Sequence, residues 1–207
     1  MNAMRRLKNM LTGHEIMRQI KKGNITIDPF NVEQLNPNSY NLKLAPRLKV
    51  YEPGVILDPK QSNTCYNEII IPPDGFVLSP GKLYIGATKE RIASDKYISA
   101  IDGRSSIGRL GMQIHLTAGF GDLGFNGTYT LEISVINPVR IYSDLEIAQV
   151  YFEKPTGKID FLYHGRYQGQ IEPTESRINI DSKTIKRYHG KYNKEEPTSY
   201  HPYTYEE

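Results

Sequence analysis

The residues best suited to chemistry lie in AGFGDLGFNGTYTLEI, 118–133, where Glu132 stands between Leu131 and Ile133 ten residues after Asp122. Alternation along TYTLEI puts Thr128, Thr130 and Glu132 on one face of a strand and Tyr129, Leu131 and Ile133 on the other. Glu132 therefore has polar neighbours. It reads either as a residue of a sheet's solvent face or as a proton-transfer group. Asp122, beside glycines, reads as a turn former or as a second working carboxylate.

A second set is DGRSSIGRLG, 102–111. Gly103 and Gly108 permit tight turns, Ser105 and Ser106 offer hydroxyls, and Arg104 and Arg109 offer planar forks for phosphate or carboxylate. That is the composition of an oxyanion cradle, and equally of a turn with solvated arginines. No Walker A loop and no G-x-S-x-G nucleophile elbow occurs. His115, in MQIHL, reads as a structural histidine at the core edge, and the other four histidines are too dispersed for a zinc site.

The elements that must carry these groups are mostly strands. Eleven short runs rich in Val, Ile, Tyr and Thr, from ITI at 25–27 to IAQVYFEK at 147–154, are separated by Pro, Gly, Asn and Asp. No helical stretches intervene, so a parallel α/β sheet is excluded and an all-β sandwich or barrel is expected. So many edges call for closure of the barrel or for an oligomer. One helix is expected in TGHEIMRQIKKGN, with Thr12 and Glu15 at capping-box spacing and Gly23 as its stop. A loop from Gly119 to Gly127 should join two strands.

With 207 residues the chain fits one domain with a tail. The expected division is an extension over 1–9, a domain over 10–178 and a Tyr-rich tail over 179–207. YHGRY at 163–167 and YHGKY at 188–192 are read as a chance match rather than a repeat. A net charge of +3, with basic residues scattered, does not argue for nucleic acid, and no apolar run is long enough for a membrane span. The single Cys65 rules out an internal disulfide and a multi-cysteine metal site, and a cytoplasmic setting is expected.

GRSSIGRLG, HLTAGFGDLGFNG, TLEI, IAQ and YHGRYQGQ followed by PTESRI, in this order and spacing, resemble the dCTP deaminases of the trimeric dUTPase-like superfamily. NPNSYNLKL belongs to the resemblance, with Asn41 where the family usually has Asp. The resemblance implies a distorted jelly-roll subunit with a short N-terminal helix, forming a homotrimer whose sites are shared between neighbouring chains. It also implies dCTP as ligand, with dUTP and dTTP as further candidate nucleotides. By the same resemblance Glu132 is the catalytic glutamate, and Ser105 and Arg109 help to hold water and charge. Arg104, Ser105, Ser106 and Arg109 match the segment at the triphosphate, and Asp122 matches the residue near the deoxyribose. Ala118, Thr130, Leu131, Gln149, Tyr163, Arg166 and Gln170 complete the nucleotide contacts, the last three on a segment that folds over the ligand as a lid.

Replacing the amino group at pyrimidine C4 by oxygen needs a deprotonated water, a proton for the ring and an ammonia leaving group. One shielded carboxylate can serve each step. The H-x-E and P-C-x-x-C elements of zinc deaminases are missing, so a zinc-free reaction is expected. Magnesium should enter only with the substrate's phosphates. A plain dUTPase usually has an apolar residue where Glu132 stands. TAGF at 117–120 and Gln149 resemble the deaminases that continue to dUMP and pyrophosphate, supplying dUMP for thymidylate synthesis, and there Asp122 orients the water attacking the α-phosphate. The alternatives are a deaminase that stops at dUTP and a nucleotide-binding regulatory protein without turnover. Gly121 and Leu123 replace the usual apolar residue and proline beside Asp122, which predicts a more flexible loop, and Arg166 stands where the family typically has Lys.

Overall fold

The computed structural model describes residues 10–179. The expected extension, nearly all of the Tyr-rich tail and the second YHG motif lie outside them. The described chain is built from twelve strands, and every strand pair is antiparallel. The all-β reading holds.

Helix α1, Gly13–Lys21, opens on Thr12, whose hydroxyl accepts the Glu15 N–H at 3.3 Å. Only that half of the capping box forms, because the Glu15 carboxylate turns down the helix to Arg18 and Gln19. Ile16 is fully buried on the inner face, and Gly23 turns the chain away at a φ of 71°. Two helical turns were not expected: a 3-10 turn at Val32–Gln34 and α2, Ser105–Gly108.

The strands are β1 (Thr26–Asp28), β2 (Tyr40–Lys43), β3 (Arg47–Tyr51), β4 (Tyr66–Ile70), β5 (Phe76–Leu78) and β6 (Tyr84–Ala93), followed by β7 (Ile98–Gly103), β8 (Met112–Gln113), β9 (Phe120–Gly121), β10 (Asn126–Val135), β11 (Val139–Ile141) and β12 (Glu146–Glu153). One sheet runs β4-β3-β6-β10-β8 with β1 also on β6, a second runs β2-β12-β7-β9, and β11 pairs with β5. Their inward side chains, such as Leu42, Leu48, Ile92, Leu131, Ile133 and Phe152, form a single core, the arrangement of a distorted jelly roll.

Of the eleven strand runs read from the sequence, KLYIGAT covers 82–88 and MQIHLTAG covers 112–119; β6 continues five residues beyond Thr88 across a bulge. Opposite Tyr129, three residues of β6 take the place of one, and the Thr88 hydroxyl accepts the Tyr129 N–H and donates to the Glu90 carbonyl, both at 2.9 Å. The Glu90 carboxylate is buried, which pushes its pKa up. Gln34 Nε2 and the Lys43 N–H partly offset this by donating to its two oxygens. The expected strand MQIHLTAG is cut to Met112–Gln113, because the chain leaves the ladder after Ile114 to form one wall of a pocket.

Candidate active site

A pocket of about 550 Å³ lies on the face of β3, β6 and β10 that carries Glu132. Its walls are the 116–122 segment and the chain after Tyr163, and it is lined by Ala118, Asp122, Thr130, Glu132, Tyr163 and Gln170. Six residues singled out in the sequence thus meet in one cavity. Ile85, the cross-strand partner of Glu132, gives that face an apolar patch.

The outer edge of β10 explains why the pocket opens there. Odd residues of β10 face β6 with their backbone groups, so even residues face outward, and most of these are satisfied. The Thr128 N–H donates to the Gln170 carbonyl at 2.9 Å, and the Glu132 N–H donates to the Ile114 carbonyl at 3.0 Å. Between them the outward backbone groups of Thr130 have no partner among the described residues, leaving a one-residue gap with one donor and one acceptor on the strand edge. Thr130 Oγ1 and Gln170 Oε1 are buried with no hydrogen-bond partner among the described residues. Buried polar atoms rarely stay unpaired, so both fit a site built for a polar ligand.

Glu132 is half-buried, and its Oε2 accepts the Leu116 N–H at 2.9 Å. Among the described residues Oε1 has no partner. The carboxylate is thus held by one oxygen and free at the other, a geometry suited to moving a proton.

The segment after Tyr163 acts as a strap. Tyr163 N–H donates to the Leu123 carbonyl at 2.7 Å, Gly169 N–H to the Asn126 carbonyl at 2.9 Å, and Gln170 Nε2 to the Thr128 carbonyl at 2.8 Å. It then crosses to β3, where the Lys49 ammonium meets Glu175 at 2.8 Å and lies 4.2 Å from the centre of the Tyr66 ring. Burial works against the Lys49 charge, but its hydrogen bonds to Glu175 and Tyr66 outweigh it and hold its pKa above the ordinary value. The same pairing holds Glu175 low despite its own burial.

Other expected residues lie elsewhere. Arg104, Ser105, Ser106 and Arg109 sit at α2, with the two serines and Arg109 exposed, and none lines the pocket. Arg104 is held by Glu146, its Nη1 lying 2.9 Å from both the carbonyl and Oε2. Asn41 Nδ2 donates to that same Oε2 at 2.8 Å. Gln149 donates to the Gly103 carbonyl and accepts from Ser39, the side chain of Leu131 is buried in the core, and Arg166 accepts from Arg177 through its carbonyl. His115 Nε2 lies 3.7 Å from Asp102, while its Nδ1 is buried without a partner among the described residues. Among the described residues no group of three His, Cys, Asp or Glu side chains could hold a metal ion.

Two findings depart from expectation. The stretch 119–127 is not all loop, since Phe120 and Gly121 pair with Ala100 and Ser99 as β9. Nor does Gly121 leave a void that loosens it: a Cβ there would fall 1.9 Å from the Tyr129 hydroxyl and 2.6 Å from Ser99 Oγ. Tyr129, Phe125 and Tyr51 also line the pocket without having been picked out, the first two because alternation and the motif context assigned them to core and loop.

A family model described as dCTP deaminase-like matches residues 10–155. The chain is 49% identical over 167 residues to the dUMP-forming dCTP deaminase of Clostridium acetobutylicum, covering 80% of this chain and 95% of that protein. It is 45% identical over 159 residues to the enzyme of that name from Cytophaga hutchinsonii, covering 77% and 90% respectively. Among solved structures, a 2′-deoxycytidine 5′-triphosphate deaminase from Agrobacterium tumefaciens has a similar fold, with a TM-score of 0.58 and 19% identity over 71% of this chain. The chain spans about half of that protein, 48% of its length. No helix among the described residues is long and apolar enough to cross a membrane.

Proposed function

The chain belongs to the dCTP deaminase-like family, and from that premise we propose that it converts dCTP to dUMP in two hydrolytic steps at one pocket. In the first, water replaces the C4 amino group and ammonia leaves, giving dUTP. In the second, water attacks the α-phosphate and pyrophosphate leaves, giving dUMP. The observation that carries this reading is Glu132, fixed at Oε2 by the Leu116 amide beside the open edge at Thr130.

The pyrimidine lies along that edge, where the Thr130 N–H and carbonyl pair with it as a missing strand would. The free Glu132 oxygen takes a proton from the attacking water and passes it to the ring nitrogen, then takes the proton of the new C4 hydroxyl and passes it to the amine, so that the C4 carbonyl forms, ammonia leaves and the carboxylate ends as it began. Asp122, exposed at the pocket wall, serves the second step by orienting water toward the α-phosphate. Magnesium travels with the triphosphate as part of the substrate. The strap carrying Tyr163 and Gln170 shields the pocket from bulk water.

The phosphate end needs cations, and Arg104, Ser105, Ser106 and Arg109 do not line this chain's pocket. A neighbouring copy in a homotrimer supplies them, with Ser105 and Arg109 nearest the reacting water. A cytoplasmic location agrees with a nucleotide substrate and a single free thiol.

The test is Asp122→Asn with dCTP and magnesium. Ammonia release with dUTP accumulating supports two steps with separate carboxylates; unchanged dUMP formation contradicts the role of Asp122.

A further inference from the structure

Asp122 has no side-chain partner among the described residues, so its position depends on the backbone that carries it. That backbone enters from β9, a strand of only two residues. A ladder this short is weak by itself. What lies under it is a pair of buried hydroxyls, Tyr129 of β10 and Ser99 of β7, 6% and 5% exposed, whose oxygens are 2.5 Å apart. The pair joins the two large sheets of the fold, since β10 belongs to one and β7 to the other.

The contact sits where a side chain of residue 121 would be, because an added Cβ would overlap the Tyr129 oxygen at 1.9 Å. Glycine at this position and tyrosine at 129 are therefore one feature in two parts. The phenol fills the room that Gly121 leaves, and Ser99, the register partner of Gly121, satisfies the hydroxyl in place. Tyr129 is further held by the Phe125 ring at 5.2 Å, and its backbone by the Thr88 hydroxyl at the bulge.

We propose that Tyr129 and Ser99 are positioning residues for Asp122: their hydrogen bond fastens β9 beneath the carboxylate and sets its place for the second hydrolysis. This rests on the two-step reading, in which Asp122 serves phosphate cleavage and Glu132 serves deamination. The tether lies under Asp122, whereas Glu132 is held separately by Leu116. Loss of the tether should separate the two activities.

Ser99→Ala removes the partner without touching the pocket lining, and Tyr129→Phe removes the hydroxyl while keeping the ring. With dCTP and magnesium, Ser99→Ala should release ammonia within about twofold of wild type, while the rate of dUMP formation falls by about ten- to a hundredfold and dUTP accumulates. Tyr129→Phe should lower the ratio of dUMP to ammonia in the same way. Gly121→Ala should lower that ratio as well, because the added methyl would overlap both the Tyr129 and the Ser99 oxygens. A wild-type ratio in both Ser99→Ala and Tyr129→Phe overturns the proposal. Amide exchange at residues 120–123 is read in parallel and should quicken about tenfold in either variant. If wild type makes only dUTP, the two-step reading fails. Exchange then still decides the tether, and unchanged exchange overturns it.

Discussion

The Glu132 carboxylate accepts the backbone N–H of Leu116 at 2.9 Å, across the gap between β10 and the chain leaving β8. The bond ties the proposed proton shuttle to a wall of its own pocket. It can also be made by an amide oxygen, so geometry and proton transfer are separable by one substitution.

Glu132→Gln keeps an acceptor for Leu116 and loses the proton. Ammonia release should fall by about 10²–10⁴-fold while dCTP binding, measured by calorimetry, stays within about threefold of wild type. Turnover near the wild-type rate would show that another group moves the proton.

Lys49→Met leaves Glu175 of the strap half-buried without its cation. Breaking such a pair costs roughly 1–3 kcal/mol, and here the loss falls on the segment that closes the pocket. The expected result is a KM for dCTP raised about tenfold with kcat changed less, since the strap binds and shields but does not react. An unchanged KM would mean that the hydrogen bonds along β10 hold the strap without help from β3.

A site divided between copies, as proposed, predicts complementation. Glu132→Gln and Arg109→Ala should each be inactive alone, and trimers reassembled from a mixture should regain on the order of a tenth to a third of wild-type turnover, because some sites then draw both intact residues from different chains. No recovery, with mixed assemblies present by mass spectrometry, would place the two residues in one chain's site.

Burial pushes the Tyr129 phenol up to about 12; the Ser99 hydrogen bond works against this and the charge of Asp122 adds to it. The folded protein thus holds this proton more tightly than the unfolded chain does. The stabilisation is complete below pH 10 and is lost as pH rises from 10 toward 12. Its size is on the order of 3 kcal/mol. Denaturant titrations across that window should show wild type losing more stability than Tyr129→Phe, and equal losses would mean that the phenol ionises freely in the fold.

The alternation in TYTLEI is local chemistry, and it placed Glu132, Thr130 and Thr128 on one face before any partner was known. Thr12 was legible for the same reason, since an N-cap acts within three residues. The partner of Glu132 was not, because a backbone amide sixteen residues away in sequence leaves no mark in residue type. Gly121 shows the limit most clearly. By itself it signals a loose loop, and only the fold reveals that a tyrosine eight residues later occupies its side-chain space. Arg104, Ser105, Ser106 and Arg109, expected as a basic cradle, sit together at α2, yet none of them lines the pocket of the single chain.

The most direct measurement is a product balance for the wild-type protein with dCTP and magnesium, following ammonia, dUTP, dUMP and pyrophosphate together. Equal amounts of ammonia, dUMP and pyrophosphate are expected, with dUTP only in trace. Ammonia accompanied by an equal amount of dUTP would contradict the two-step pocket, and the absence of ammonia would contradict the deaminase itself.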